Sequence, residues 1–285
     1  TTLTNVCTKD AKRVLLRMLH DYDDRNETLE QWDPLALAAK ANDADTPNWN
    51  QAMNGPFAEG FWEACHKEID TLVNMDVWEV VNRETWMSVT PTTWAFKVKR
   101  IPSGLMQKLK ARLCIRGDRE IENVHYWETY APVVSWTTVR LLLILSAKLE
   151  LATRQVDFTA AFVHADVETP PGYEQMTPDE QYRSSQFTAM PRGFAEPGKV
   201  LRLKKNLYGK KSAPRLWFSH LKSRLEATGF EQMINVDPCL FISEKVICLV
   251  YVDDTLLYAR DMKYIDEVIR QLREDHKMTL EVEDD

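Results

Sequence analysis

No uncharged apolar run in this chain approaches the ~20 residues needed to cross a bilayer. The first residues, Thr1-Thr2-Leu3-Thr4, include neither a starting methionine nor a signal peptide. The expectation is a soluble globular chain with no membrane partner, cut from a longer chain. Cysteine is scarce: Cys7, Cys65, Cys114, Cys239 and Cys248 are an odd number, none at C-x-x-C spacing, and three lie in apolar stretches. That pattern speaks against a disulfide framework and against zinc, and for reduced structural thiols in a reducing compartment. A uniform positive charge is also missing, since the formal net charge is −7. A surface for polyanions therefore has to be local. What the chain has in quantity is apolar residues, 44% of 285, ample for a core in one or two domains.

Resolved along the chain, the charge separates into blocks. Residues 1–75 hold 7 basic and 13 acidic side chains, net −6; residues 94–119 hold 8 and 1, net +7; residues 191–224 hold 10 and 1, net +9. Lysine and arginine at that density can neutralise backbone phosphates, independently of sequence and in a salt-dependent way. A solvated face is the other reading of any charge run. The stretch from Asp21 to Asn50 is acidic, lacks sustained apolar periodicity and contains Pro34 and Pro47, the pattern of a linker.

The spacing of Phe61, Ala64, Cys65, Glu68, Ile69 and Leu72 predicts a core-facing amphipathic helix. Thr92 to Arg116 reads as two strands joined at Ile101-Pro102-Ser103-Gly104, with glycine available for positive φ. Thr137 or Thr138 could cap a helix through Leu141-Leu142-Leu143-Ile144-Leu145 to Glu150, apolar on most sides and so expected to be buried. Ser212 to Thr228 predicts a helix with Pro214 near its start and Gly229 as its stop, and Asp261 to Lys277 predicts another. Pro170 to Gln186 is polar and proline-rich and reads as an exposed insertion.

The most informative stretch is Val246-Ile247-Cys248-Leu249-Val250-Tyr251-Val252-Asp253-Asp254-Thr255-Leu256-Leu257-Tyr258, which sets two carboxylates between two apolar, strand-like runs. A common hairpin tip would offer Asn-Gly or Asp-Gly; here no glycine follows. Adjacent carboxylates at a buried rim repel unless a cation offsets them. Taken alone, the pair also fits a solvated acidic turn. A third carboxylate, Asp157, interrupts another strand-like run, Gln155-Val156-Asp157-Phe158, and two such strands side by side would bring the three together. Hard oxygen ligands suit Mg²⁺ or Mn²⁺, and two such ions serve phosphoryl transfer.

These residues resemble the reverse transcriptase of copia-type retrotransposon Pol polyproteins. The resemblance rests on Tyr251-Val252-Asp253-Asp254, on the Asp157 strand and on Leu207-Tyr208-Gly209-Lys210-Lys211-Ser212-Ala213-Pro214-Arg215-Leu216-Trp217 between them. Trp94-Ala95-Phe96-Lys97, Lys108-Leu109-Lys110-Ala111-Arg112-Leu113, Glu128-Thr129-Tyr130-Ala131-Pro132-Val133 and Thr138-Val139-Arg140 precede them in matching order, so that roughly 57–285 is covered. The resemblance implies an α+β, right-handed polymerase fold with fingers mainly at 57–150 and a palm mainly at 151–285, after an N-terminal extension at 1–56. The palm would be of the split βαβ, ferredoxin-like type, an antiparallel sheet with helices on one face, reached in the order strand, helix, hairpin, helix, strand. Lys277-Met278-Thr279-Leu280-Glu281 resembles the start of the primer-grip region, and the thumb is expected to be missing.

The resemblance also implies an RNA-directed DNA polymerase that adds deoxynucleotides to a primer 3′-hydroxyl with two Mg²⁺ or Mn²⁺ ions. Asp157, Asp253 and Asp254 would be catalytic and hold the metals. Lys97, Lys110, Arg112, Phe162, Tyr208 and Gly209 would bind the nucleotide, with Phe162 excluding a 2′-hydroxyl and Gly209 letting backbone approach substrate. Lys211, Ser212, Pro214, Arg215 and Tyr251 would contact template or primer. The implied partners are an RNA or DNA template with primer, dNTPs, and the integrase and ribonuclease H modules of the polyprotein. The implied location is the virus-like particle in the cytoplasm, with the nucleus as an alternative. Lys210 and Ser212 depart from the family pattern, which has an apolar residue and glutamine there. Two other readings stay open: a two-metal nuclease using the same carboxylates, and an inactive relic that retains the fold.

Overall fold

A computed structural model describes residues 45–283; most of the stretch read as an acidic linker lies outside the described residues. In chain order the elements are α1 (Trp49–Asn54), α2 (Ala58–Asn74), β1 (Trp78–Asn82), β2 (Val89–Thr90), β3 (Thr92–Arg100) and β4 (Met106–Ile115). There follow α3 (Trp136–Leu149), β5 (Ala152–Phe158), α4 (Pro178–Arg183), β6 (Phe187–Ala189), β7 (Lys199–Leu203) and α5 (Ala213–Ala227). The last are β8 (Glu231–Gln232), β9 (Leu240–Ile242), β10 (Val246–Tyr251), β11 (Asp254–Ala259), α6 (Met262–Glu274) and β12 (Leu280–Glu283). The described residues form two compact units, 130–161 with 217–283 and 45–129 with 162–216, a different division from a single cut near residue 150.

The first unit is built on a six-stranded antiparallel sheet in the order β12-β5-β11-β10-β9-β8. Its path through β5, α5, the β10–β11 hairpin, α6 and β12 is the expected strand, helix, hairpin, helix, strand. Val246 to Val250 are all buried, so this strand is covered on both faces, which is why its sequence is an unbroken apolar run. Trp217, Leu221 and Leu225 repeat every four residues on α5 and are buried, with the Trp217 ring 5.2 Å from that of Phe158 on β5. Gly229 ends this helix at φ +88°, a left-handed conformation that glycine adopts without steric cost. Ile265, Val268, Ile269 and Leu272 form the buried stripe of α6, which packs against β11 and β5.

Helix α3 differs from its sequence reading in two respects. Its N-cap is Ser135, not Thr137 or Thr138: the Ser135 hydroxyl accepts the Thr138 N–H at 3.1 Å. Asp237 fixes the cap, accepting the Ser135 N–H at 2.9 Å and the Thr138 hydroxyl at 2.7 Å. Nor is the helix buried on most sides. Only Thr138 and Leu142 are buried, while Trp136, Leu143 and Ile144 are 63%, 49% and 54% exposed. Described residues cover one i, i+4 stripe, and apolar composition cannot tell one covered stripe from several.

The second unit carries the predicted β3–β4 hairpin, whose turn uses Gly104 at φ +84°. Strict alternation buries Trp94, Phe96 and Val98 on β3 and Ala111, Leu113 and Ile115 on β4, and turns the lysines outward. Helix α2 packs on β4 through the predicted stripe, with Phe61, Cys65 and Leu72 buried. The Glu68 carboxylate on this helix accepts the Leu113 N–H at 3.2 Å, and burial raises its pKa. Residues 45–54 belong to this unit: Asp45 pairs with Arg100 at 2.8 Å, and Trp49 stands 6.1 Å from Phe96. A four-stranded sheet, β1-β7-β6-β2, completes it.

The segment read as an exposed insertion is mostly that, but it is not featureless. It contains a 3₁₀ turn, Tyr173–Gln175, and α4, which Thr177 and Glu180 start as a capping box. Tyr182 anchors it against Trp86 and Phe187 at 5.9 Å from each, and Gln186 at its end is buried.

The described cysteines, Cys65, Cys114, Cys239 and Cys248, are all free thiols. Burial pushes Cys65 and Cys239 up to about 12 and Cys114 up to about 11, so they are poor nucleophiles. Among the described residues no helix is long and apolar enough to cross a membrane.

Candidate active site

The turn joining β10 to β11 consists of two residues, because Tyr251 pairs with Asp254. Of these two, Val252 takes positive φ, 57°, and Asp253 does not. That is the pattern of a type II′ turn, whose first central position normally holds glycine. A β-branched residue there costs roughly 1–3 kcal/mol and persists only where its surroundings enforce it. Two bonds do so. The Trp217 indole N–H donates to the Val252 carbonyl at 2.6 Å, and the Phe158 N–H donates to the Asp253 carbonyl at 3.1 Å. Because the Trp217 and Phe158 rings also touch, β5, α5 and the turn hold one another.

Strand register then places the carboxylates. Asp254 on β11 lies directly opposite Asp157 on β5, so both project from the same face. Gln155, two residues before Asp157 and hence on that face, donates to Asp254 Oδ1 at 3.3 Å. On the other side of β5, Glu281 of β12 is the register partner of Asp157, extending the row of acidic residues to a third strand. Among the described residues no three His, Cys, Asp or Glu side chains converge closely enough to enclose a metal ion. The donor chemistry nevertheless fits a hard cation: carboxylate oxygens on neighbouring strands are what Mg²⁺ and Mn²⁺ take. Beside this row is a cavity of about 190 Å³, lined by Trp136, Gln155, Leu249, Tyr251, Asp254 and Leu256 among others. Tyr251 forms part of its wall and is 50% exposed.

A second group of predicted residues lies in the other unit. The Arg112 guanidinium sits 4.7 Å from the centre of the Tyr208 ring, and Phe162 meets that ring edge-on at 4.9 Å. In the hairpin, Lys97 pairs with Lys110 and Lys99 with Lys108, two like-charged pairs directly opposite one another. Burial, followed by Lys99 and Arg112, lowers the Lys110 pKa. Lys211 lies over the Tyr126 ring at 4.7 Å. Arg215 donates to the Glu128 carbonyl at 3.1 Å and pairs with Glu168, and Pro214 is half-buried near the start of α5.

Two of the predicted contacts look different in the structure. At Gly209, φ is +85° and an added Cβ would stand 2.2 Å from the Ile115 carbonyl oxygen. The missing side chain therefore makes room for the chain's own β4. Ser212 is fully buried and its hydroxyl lies inside the unit.

The structure also supplies four residues that sequence reading did not assign to the site: Val252, Trp217, Gln155 and Glu281. For Glu281 a signal existed, the alternation Leu280-Glu281-Val282, which marks a strand with a polar face. For Trp217 none existed, because an indole N–H aimed at a carbonyl 35 residues away leaves no local trace.

Comparison with known proteins supplies the family. Residues 75–282 match the family described as "Reverse transcriptase (RNA-dependent DNA polymerase)". The chain is 28% identical over 78% of its length to the Retrovirus-related Pol polyprotein from transposon TNT 1-94 of Nicotiana tabacum. It is 29% identical over 75% to the corresponding polyprotein from transposon RE2 of Arabidopsis thaliana, and 25% identical over 76% to the Transposon Ty1-ER2 Gag-Pol polyprotein of Saccharomyces cerevisiae. It spans 16%, 13% and 12% of the length of those polyproteins, respectively. A solved structure of the foamy viral protease-reverse transcriptase in complex with double-stranded DNA aligns with 76% of this chain and 30% of its own, at 12% identity and a TM-score of 0.37. With 208 consecutive residues matched on top of an antiparallel α+β sheet that carries the Tyr-Val-Asp-Asp turn, the chain belongs to the reverse transcriptase family of copia-type Pol polyproteins.

Proposed function

We propose that this chain carries the nucleotidyl-transfer chemistry of its polyprotein, adding deoxynucleotides to a primer 3′-hydroxyl on an RNA or DNA template. The observation that carries this reading is the alignment of Asp157 and Asp254 on adjacent strands, next to a turn held in a strained conformation. Natural chains retain such strain where it serves a site. Asp157 and Asp254 would hold the metals, with Asp253 in support. Two Mg²⁺ or Mn²⁺ ions supply, when bound, activation of the primer hydroxyl and neutralisation of the triphosphate. Gln155 restrains the Asp254 carboxylate through its hydrogen bond. We assign the unit built on the six-stranded sheet as the palm and the unit with the basic hairpin as the fingers.

In the fingers, the like-charged pairs Lys97–Lys110 and Lys99–Lys108 are each unfavourable by roughly 0.2–1 kcal/mol in the free chain. A polyphosphate or nucleic-acid backbone would remove that penalty, which favours phosphate binding over a merely solvated face. Tyr208, flanked by Arg112 and Phe162, offers a ring for a nucleotide. Phe162 would exclude a 2′-hydroxyl by its bulk. Lys211 and Tyr251 would meet template or primer. The integrase and ribonuclease H modules would be partners within the polyprotein, and virus-like particles in the cytoplasm its place of action.

The test is primer extension on poly(rA)·oligo(dT) with dTTP and Mg²⁺ or Mn²⁺. Extension dependent on dTTP is expected. Degradation of the duplex without nucleotide would overturn the reading in favour of a nuclease, and silence with either metal would favour a relic. Binding of template–primer across a salt series tests the hairpin separately. Lys110→Gln is expected to reduce the slope of log Kd against log salt by about 1, as the loss of one phosphate contact does. An unchanged slope would remove Lys110 from the interface.

A further inference from the structure

At the foot of the Tyr208 turn a lysine and a glutamate are buried together. The Lys210 and Glu120 side chains are 2% and 1% exposed, and Lys210 Nζ stands 2.6 Å from Glu120 Oε1. The same ammonium donates to Gln186 Oε1, and Gln186 is itself buried. Glu120 uses its other oxygen, Oε2, to accept the Lys211 backbone N–H at 2.7 Å. One carboxylate thus holds two consecutive residues, the first by its side chain and the second by its main chain.

Stability gives no sufficient reason for this arrangement. Withdrawing both ions from water costs about what their attraction returns, and an apolar pair of similar volume serves a core as well or better. Burial holds the Lys210 ammonium below its ordinary pKa, with Glu120 opposing that shift. What the ion pair adds is position.

The turn it holds is pinned at its other end by β4. The Ile115 N–H donates to the Tyr208 carbonyl at 2.7 Å, and at Gly209 a side chain would collide with Ile115. Tyr208 therefore stands between two fixed points, with Arg112 and Phe162 on its ring. On the far side, the Glu120 bond to the Lys211 N–H sets the start of the side chain that reaches Tyr126.

We propose that Glu120 and Lys210 are positioning residues whose buried clamp sets where Tyr208 and Lys211 stand, and thereby tunes nucleotide and template binding. The proposal rests on the polymerase reading above. It is tested on the full chain with the double variant Glu120→Leu/Lys210→Met, which removes both charges while roughly keeping volume, so that no ion is left buried alone. The expected result is a folded protein whose KM for dTTP and Kd for template–primer each rise about tenfold, with kcat changed less than about twofold. Hydrogen exchange of peptides covering 208–212 should accelerate about tenfold as the Lys211 N–H loses its acceptor. A second double variant, Glu120→Gln/Lys210→Met, keeps an amide oxygen for that N–H and should recover most of the loss.

A folded Leu/Met variant with unchanged KM, Kd and exchange overturns the clamp, and so does a Gln/Met variant that recovers nothing. If the unaltered chain fails to extend a primer, the polymerase reading falls, and the exchange comparison alone then decides the clamp.

Discussion

Asp254→Asn should lower the rate of primer extension on the order of 10³-fold while leaving the thermal midpoint unchanged or raised. The two effects have one origin. Asp254 faces Asp157 across the β5–β11 ladder, and Asp157 faces Glu281 across the β5–β12 ladder, so β5 carries a carboxylate with an acidic neighbour on each side. Like charges directly opposite cost roughly 0.2–1 kcal/mol, and replacing one carboxylate by an amide of the same shape removes part of that cost. Chemistry that relies on the charge is lost at the same time. Single-turnover extension and a thermal melt on the same preparation separate the possibilities. Wild-type extension in the variant would remove Asp254 from catalysis. A midpoint lower by several degrees would instead make Asp254 a structural residue, with the lost activity following from the lost fold.

Trp217→Phe and Val252→Gly should both slow extension, by roughly ten- to a hundredfold, while moving stability in opposite directions. The phenylalanine variant keeps a ring against Phe158 but deletes the donor to the Val252 carbonyl, costing about 1–2 kcal/mol. The glycine variant relieves a left-handed β-branched residue, a gain of up to about 1 kcal/mol after the added freedom of the unfolded chain is counted. The phenylalanine variant removes one of the two bonds that enforce the turn carrying Asp253, and the glycine variant keeps both bonds but frees the turn to sample other conformations. Urea unfolding read alongside extension rates distinguishes this account from simple destabilisation, which would make the slower variant the less stable one. If Val252→Gly extends as well as the unaltered chain, the strain of a β-branched residue at position 252 has no part in function.

Much of this was legible along the chain. The β10–β11 hairpin announced itself through two apolar runs around Asp253-Asp254, the β3–β4 hairpin through its turn at Ile101 to Gly104, and α6 through Ile265, Val268, Ile269 and Leu272. In each, the signal lies in neighbouring residues, an unbroken apolar run, a glycine-bearing turn or a 3.6-residue stripe, and the same neighbours decide the conformation. Where the outcome depended on what covers an element, the reading went astray. Helix α3 is apolar on several faces, yet described residues cover only the stripe of Thr138 and Leu142, and its cap moved to Ser135 because Asp237, a hundred residues away, accepts the Ser135 N–H and the Thr138 hydroxyl.

The same contrast runs through the candidate site. Residue types and spacing were enough to single out Asp157, Asp253 and Asp254 and the chemistry that suits them, since a carboxylate's affinity for hard cations belongs to the side chain itself. Which carboxylates stand opposite one another, that Glu281 joins the row, that Trp217 holds a strained valine and that Lys210 finds Glu120 were settled only by pairing between distant segments. Those contacts bring together groups whose separation along the chain carries no periodic signal. Their energies exist only once burial has removed the competing water.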